Sequence, residues 1–319
     1  MDPVRWGILS TARINEQVLA GMKQSDRVAV VAVASRDKAR ADAYARERAI
    51  ERAHGSYEGL LEDPDVEAIY ISLPNSLHVD WSIRALEAGK HVLCEKPFDR
   101  RPAEVERAFD IAEGTGRLLM EAFMYRHHPQ TKRFAEVVGS GAIGELRQVR
   151  SSFSFTLKDP ENVRLRPELD GGALMDVGCY CLSIARLLAG EPELVFGRQL
   201  LGPTGVDVRF AALLQFPGDV LAEFHCGFDL PSGSDVEAIG SEGSVLVRSP
   251  FLCRDPHLEL NGERVEVDDV DRYLMQAENF SDAVHGVAEP LLGRADAVGQ
   301  ARAIDALYRS AASGEAVSL

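Results

Sequence analysis

Three residues in this chain combine type and spacing in a way that suits acid–base chemistry: Lys96, Asp176 and Tyr180. Lys96 stands in Glu95-Lys96-Pro97, directly after the apolar run His91-Val92-Leu93-Cys94. A short buried strand ends there, and proline neither continues a sheet nor enters a helix interior. In an open α/β sheet, ligands bind beyond the carboxyl ends of the strands, so a lysine at that point faces whatever is bound. Its ammonium is either a group tuned by burial and able to lower the pKa of a neighbouring acid, or a strand-end charge in water. The tripeptide alone does not separate the two. Asp176 and Tyr180 lie four apart in Gly171-Gly172-Ala173-Leu174-Met175-Asp176-Val177-Gly178-Cys179-Tyr180-Cys181, so a helix there puts them on one face. A tyrosine ordinarily titrates near about 10, and a nearby positive charge favours its phenolate. Asp176 would orient the phenol, bind a substrate hydroxyl or hold Lys96. Taken alone, Tyr180 also fits an amphipathic core position and Asp176 a helix-surface charge.

The elements that must carry these residues are legible from periodicity. Val4–Leu9 reads as a buried strand, and Ile14, Val18 and Met22 recur at helical spacing. The turn between them is Ser10-Thr11-Ala12-Arg13. A strand, a tight turn of small residues and a helix form the geometry that seats a pyrophosphate on a helix N-terminus. The dinucleotide fingerprint G-x-G-x-x-G/A is not intact, because its positions hold Ser10, Ala12 and Asn15. Ser10 and Ala12 are small enough to keep the backbone approachable, and the Ser10 and Thr11 hydroxyls suit phosphate oxygens. Helix–sheet packing gives no reason for Asn15. By itself the turn fits an ordinary βα connection better than a nucleotide site.

The next strand, Val28–Ala34, ends in Ser35-Arg36-Asp37. An NAD site places an acidic residue at this strand end, about 20 residues after the turn. Here a hydroxyl and a guanidinium occupy the tip, which suits the 2′-phosphate of NADP. Asp37 falls where it can N-cap the helix beginning Lys38-Ala39-Arg40. A third strand, Ala68–Leu73, runs into Pro74-Asn75-Ser76-Leu77-His78, with a helix from near Ser76 that stops at Gly89. The Lys96 strand, a helix over 102–113 and a strand over 117–122 follow. Strands alternating with helices call for a doubly wound parallel sheet, so residues 1–122 read as a Rossmann-type domain.

After Phe123 the rhythm changes. A helix spans 129–138, and from Glu145 the pattern alternates as in strands, with further strands at 193–201, 206–216, 219–229, 235–240 and 243–248. Strands not separated by helices indicate an open, mainly antiparallel sheet, interrupted by the one long helix that carries Asp176 and Tyr180. Residues 123–289 thus read as a second α/β domain, the one that the family resemblance described below implies for substrate binding and oligomerisation. The final helices, over about 273–287 and 294–313, are expected to pack back on the first domain, with about 290–319 as the returning C-terminal segment.

Composition excludes several classes. The 319 residues carry a formal net charge of −15, which opposes nucleic acid or an anionic membrane as partner. No apolar run is read as approaching membrane-spanning length. The first strand begins almost at the initiator methionine, leaving no room for a secretory signal, so a cytoplasmic protein is expected. Five cysteines without a C-x-x-C pair suit buried thiols in a reducing compartment. His127-His128, Cys179-x-Cys181 and His225-Cys226 match no zinc-ligand spacing, so no metal is expected.

Taken together and in order, the Gly7-to-Ile14 turn, Ser35-Arg36-Asp37, Leu73-Pro74-Asn75-Ser76-Leu77-His78, Glu95-Lys96-Pro97, Glu121-Ala122-Phe123-Met124-Tyr125-Arg126 and Gly171 through Tyr180 resemble the Gfo/Idh/MocA oxidoreductases. Within them the chain looks most like the NADP-dependent D-xylose 1-dehydrogenase and dimeric dihydrodiol dehydrogenase branch. The resemblance implies a Rossmann domain, a second domain whose open sheet often forms a dimer or tetramer interface, and NADP as cofactor. It implies that Lys96 positions the reacting hydroxyl, that Tyr180 is the general acid/base and that Asp176 is the acidic partner. The implied cofactor-binding set is Ser10, Thr11, Ala12, Arg13, Ile14, Ser35, Arg36, Leu73, Pro74, Asn75, His78, Glu95 and Lys96. Arg126, Arg164 and Arg166, with Asn162, are candidates for the substrate without a spacing argument. The expected reaction is reversible hydride transfer between NADP and a hydroxyl-bearing carbon of a sugar or cyclic polyol, with an aldose such as D-xylose at C1 or a trans-dihydrodiol as donor. A keto-sugar reductase, on a substrate that can be nucleotide-linked, and a non-catalytic NADP-sensing regulator are the alternatives.

Overall fold

Six short strands pair in parallel at the start of the chain. In the computed structural model, which describes residues 1–319, β1 (Val4–Leu9), β2 (Val28–Ala34), β3 (Arg52–His54), β4 (Ala68–Ile71), β5 (His91–Cys94) and β6 (Leu119–Glu121) form one sheet in the order β3-β2-β1-β4-β5-β6. The order reverses between β1 and β4, as in a doubly wound sheet. Trp6, Ile8, Ala68, Ile69, Tyr70 and Ile71 are fully buried, because helices cover both faces of such a sheet. The connecting helices are α1 (Asn15–Met22), α2 (Lys38–Arg48), α3 (Tyr57–Leu61), α4 (His78–Glu87) and α5 (Pro102–Thr115). Asp37 caps α2 as its position suggests, accepting from Arg40 N at 3.1 Å.

The second sheet is built by β7 (Leu146–Thr156), β8 (Leu194–Leu201), β9 (Asp207–Phe216), β10 (Val220–Gly227), β11 (Asp229–Gly240), β12 (Ser244–Arg248), β13 (His257–Leu260), β14 (Glu263–Glu266) and β15 (Val317–Ser318). Its order is β14-β13-β12-β11-β7-β10-β9-β8-β15. Neighbours are antiparallel except β7 and β10, which run parallel. Val149, Phe210, Leu214, Ala222 and Phe224 alternate onto a buried face. The helices of the second half are α6 (Pro129–Gly139), α7 (Cys179–Ala189), α8 (Arg272–Val284) and α9 (Arg294–Ser313).

The sequence reading missed β3, α3, β13, β14 and β15. The β13–β14 hairpin carried a turn signal: Asn261 and Gly262, both at positive φ (51° and 84°), form a two-residue loop of the kind Asn-Gly favours. Its polar flanks hid the strands.

The chain divides into two units, Met1–Asp99 with Ala103–His127 and Asp271–Val298, and Arg100–Pro102 with His128–Val270 and Gly299–Leu319. The segment that returns to the first unit is Asp271–Val298, which holds the first of the two final helices and the start of the second. The reason lies in α8: Trp6 of β1 packs on Phe280 with ring centroids 5.4 Å apart and donates to Ser281 Oγ at 3.3 Å. The chain's end instead joins the second sheet, where β15 pairs with β8 and Gly197 N donates to Ser310 Oγ at 3.0 Å.

Two further expectations need correcting. Pro167–Ala189, 23 residues, is long and apolar enough to cross a membrane by length and composition, and 78% of its apolar window is buried within the fold. Its hydropathy is that of a core helix, buried over most of its length, with Asp176 among its charged exceptions. It also does not begin as a regular α-helix: Leu174–Gly178 is a π-helical turn, in which Cys179 N donates to Leu174 O.

Candidate active site

In the first unit, the β1–α1 turn replaces glycine chemistry with hydroxyl chemistry. Ser10 is buried and adopts φ 122°, a conformation glycine takes without strain and other residues rarely do. Three contacts hold it there. Its Oγ lies 2.8 Å from Ser72 Oγ, donates to Ser72 O at 3.1 Å and accepts from Ala12 N at 3.1 Å. Asn15, fully buried, donates through Nδ2 to Ser10 O at 3.0 Å, which explains an amide at the third fingerprint position: it ties the helix start back to the turn. Thr11, Ala12 and Arg13 line a recess of about 350 Å³ together with Arg40, Tyr44 and Arg48. At the end of β2, Ser35 is buried and its Oγ accepts from Asp37 N at 3.3 Å. Arg36 is exposed, and its guanidinium faces the Tyr57 phenol, opposing the rise in pKa that burial gives Tyr57.

The same strand ends bring together the loops after β4 and β5. His78 is fully buried, with Nε2 2.8 Å from Leu73 O and Nδ1 2.9 Å from Pro97 O. Burial lowers its pKa, against the two carbonyls. The ring thus joins the loop of Leu73, Pro74 and Asn75 to that of Glu95 and Lys96 and tethers the two loops. Phe98 N donates to Glu121 Oε1 at 2.8 Å, fixing the chain two residues after Lys96. Tyr70 on β4 donates to Glu95 Oε1 at 2.6 Å. Burial, and then the Glu95 carboxylate, push the Tyr70 pKa well up. Lys96 follows β5 half-buried, on the strand-end edge that also carries Ser10, Ser35 and Leu73. Arg126, a substrate candidate, has a side chain only 10% exposed and meets Asp296 Oδ1 at 3.4 Å within this unit.

In the second unit, Asp176 and Tyr180 leave the π turn and the first turn of α7. Arg164 Nε donates to Asp176 Oδ2 at 2.6 Å, so the structure pairs one substrate candidate with the acidic residue. Asn162 Oδ1 accepts from Arg164 N at 3.1 Å and orders the approach. The loop folds tightly here: Gly172 N donates to Arg164 O at 2.9 Å, and a Cβ on Gly171 would overlap that same carbonyl. Arg166 points outward, its side chain 45% exposed and bonded to Glu161 at 3.2 Å. The Tyr180 ring is buried with centroids 5.5 Å from Phe153 and 5.3 Å from Phe251, and those two rings stack 5.3 Å apart.

The sequence reading missed Tyr70, Ser72, Phe153 and Phe251 as supporting residues. Ser72 sits next to the Leu73-Pro74-Asn75 motif and Glu121 opens a motif already quoted, so both lay within reach. Nothing local marks Tyr70 or Phe251.

Comparison with known proteins agrees with this architecture. The model described as the oxidoreductase family with an NAD-binding Rossmann fold matches residues 4–123, and the GFO/IDH/MocA C-terminal domain matches residues 131–246. The chain is 41% identical to D-xylose 1-dehydrogenase (NADP(+)) 2 of Haloferax volcanii, over 98% of this chain and 99% of that one. The chain belongs to the GFO/IDH/MocA oxidoreductases. Another curated member, trans-1,2-dihydrobenzene-1,2-diol dehydrogenase of Mus musculus, is 36% identical over 82% of this chain and 79% of that one. Among solved structures, the 3-ketoreductase KijD10 of Actinomadura kijaniata, in complex with NADP and TDP-benzene, superposes with a TM-score of 0.91 at 32% identity, covering 97% of this chain and 98% of that chain. In GFO/IDH/MocA terms, the first matched segment carries Ser10, Arg36, His78 and Lys96, and the second carries Arg164, Asp176 and Tyr180.

Proposed function

We propose that this oxidoreductase is an NADP-dependent dehydrogenase of the hydroxyl-bearing carbon of a sugar or cyclic polyol, with an aldose such as D-xylose at C1 as the favoured donor and a trans-dihydrodiol as the next. Above all, its 41% identity to a D-xylose 1-dehydrogenase, sustained over 98% of the chain, supports this reading.

The residues present fit the cofactor. Ser10 gives the β1–α1 turn its glycine-like backbone, and Arg13 and Arg40 line the adjoining recess, where guanidinium groups suit phosphate oxygens; Arg48, also on its wall, is paired with Glu16 and Glu47. Arg36 stands exposed at the tip of β2 while Asp37, the acid that could bond a ribose hydroxyl, caps α2; this favours NADP over NAD. When bound, NADP supplies the hydride acceptor of the oxidation. Tyr180 accepts the proton of the substrate hydroxyl, its ring held by Phe153 and Phe251. Lys96 polarises the reacting oxygen, its loop fixed through His78 and Glu121. Asp176, oriented by Arg164, accepts from a further substrate hydroxyl.

The TM-score of 0.91 to a 3-ketoreductase supports a second reading, reduction of a keto-sugar. We also assign the protein to the cytoplasm, in keeping with five buried cysteines. We further assign it as a homodimer or homotetramer joined through the outer face of the second sheet, where Leu213 and Leu221 on adjacent strands are 56% and 53% exposed; light scattering of the pure protein tests this, and a monomer refutes it. The decisive assay is NADPH formation, followed by near-ultraviolet absorbance, with NADP⁺ and a panel of aldopentoses, aldohexoses and cyclic trans-diols. A clear rate with one donor supports the dehydrogenase. Silence with NADP binding intact points to the keto-sugar reductase or to an NADP-sensing regulator.

A further inference from the structure

One buried carboxylate in the second unit has no part in the chemistry proposed above. Asp207, the first residue of β9, is 2% exposed. Its Oδ2 accepts from Leu174 N at 2.7 Å and its Oδ1 accepts from the Tyr308 hydroxyl of α9 at 2.9 Å. Leu174 opens the π turn, two residues before Asp176 and six before Tyr180. The backbone drops onto Asp207 at Gly172, which sits at φ 130° and on which a Cβ would overlap Asp207 Oδ1, so two separate constraints require glycine there. Tyr308 is braced in turn, with the Arg100 guanidinium 5.3 Å from its ring centroid and 3.3 Å from Asp170.

The arrangement is a side-chain cap reached from a distant strand. A carboxylate bonded to the first amides of a helical run attracts the positive end of its backbone dipole. Burial nevertheless holds the Asp207 pKa up to about 6, against the Leu174 amide and the Tyr308 hydroxyl. The other groups facing it are the thiol of Cys226 and, behind the Tyr308 ring, Arg100. At neutral pH the cap is therefore ionised, and mild acid neutralises it.

We propose that Asp207 is a positioning residue of this enzyme, holding through Leu174 N the turn that carries Asp176 and Tyr180, with Tyr308 fixing its own carboxylate. The inference rests on the reading of Tyr180 as the acid/base group. Neutralising Asp207 leaves the fold in place and loosens the pose of the turn, so kcat falls on the acid side of a midpoint near the Asp207 pKa while NADP affinity does not change.

The test compares wild type with Asp207→Asn and Tyr308→Phe in three measurements: kcat and KM against pH with the best donor of the sugar panel, NADP binding by fluorescence, and amide hydrogen exchange of the peptide over 173–181. Asp207→Asn keeps the size and removes the charge. It should lower kcat about tenfold, as small misplacements of reacting groups do, with KM and NADP affinity nearly unchanged. The acid limb should vanish, and exchange in 173–181 should rise about fivefold, as loss of a cap implies. Tyr308→Phe removes one donor to the carboxylate and should move the acid limb to higher pH. Wild-type kcat, acid limb and protection in Asp207→Asn overturn the inference. If that variant does not fold, an unmoved limb in Tyr308→Phe overturns it equally. If wild type turns over no donor, the proposed function fails, and the exchange measurement still decides whether Asp207 holds the turn.

Discussion

Arg164 Nε donates to Asp176 Oδ2 over 2.6 Å, so the acidic residue one turn before Tyr180 is one half of a charge-assisted pair. The Asp176 side chain is 13% exposed and that of Arg164 41%. Arg164 is the exposed half and Asp176 the largely buried one, so the pair both aims the carboxylate and shields its charge. Arg164→Ala should lower kcat by about ten- to a hundredfold through misorientation, lower the melting temperature by leaving the Asp176 carboxylate unpaired, and leave NADP binding intact. Steady-state kinetics at a temperature where the variant is fully folded checks it, and wild-type kcat there would contradict the positioning role.

Tyr180→Phe removes only the hydroxyl from a ring already held by Phe153 and Phe251. General acid–base groups contribute about 10²–10⁴ in rate, so turnover should fall by that order with the structure and NADP affinity retained. Wild-type turnover in this variant would falsify the assignment of Tyr180.

Arg36→Ala should weaken NADP by about ten- to a hundredfold, the scale of one or two charge-assisted hydrogen bonds to a phosphate. NAD, which lacks the 2′-phosphate, should bind as before. Titration with both cofactors tests this, and parallel losses for the two would show that Arg36 does not reach the 2′-phosphate.

Ser10 sets an unfavourable φ of 122° against three hydrogen-bonding contacts of its own hydroxyl. Ser10→Ala keeps the strain and loses the contacts, and should destabilise by about 1–3 kcal/mol. Ser10→Gly relieves the strain as it loses them, and should come within about 1 kcal/mol of wild type. Denaturant midpoints of the two variants decide it: Gly no better than Ala means that the φ angle carries no cost.

Asp207 gives a pH signature in stability as well as in rate. Its folded pKa of about 6 lies above the ordinary aspartate value of 3.8, so the protonated form favours the fold. That contribution is fully present below about pH 4 and is lost as pH rises through about 6. The shift corresponds to about 3 kcal/mol. Relative to wild type, Asp207→Asn should therefore gain about that much stability between pH 4 and pH 8, because asparagine does not ionise. Unfolding free energies at both pH values measure the difference, and a gap constant with pH would show that Asp207 titrates normally.

Local chemistry made much of this protein legible in its sequence. Unbroken apolar runs marked β2 and β4, and β1 departs from one only at Arg5, since strands covered on both faces need no polar alternation. Asp37 was readable as a cap because capping is a contact over three residues. Lys96, Asp176 and Tyr180 stood out through proline, glycine and helical spacing, all of them short-range signals. What periodicity could not carry was the identity of partners distant along the chain. Asn15 made no sense as a packing residue until its amide was seen on Ser10 O. Nothing in the spacing of Arg164 marks Asp176, 12 residues on, as its partner, and nothing in the pattern of α8 marks Trp6 as the residue it packs on.

The sequence by itself thus determined the sheet classes, the family-like strand-end motifs and the three candidate chemical groups. Tertiary structure alone decided what holds them: Tyr70 on Glu95, Phe251 on Tyr180, and Asp207 beneath Leu174, 33 residues away in the chain. The reason is physical. Propensities, caps and turns act over a few residues, whereas a buried polar group takes its partner from whichever backbone or side chain the packed core brings within hydrogen-bond distance.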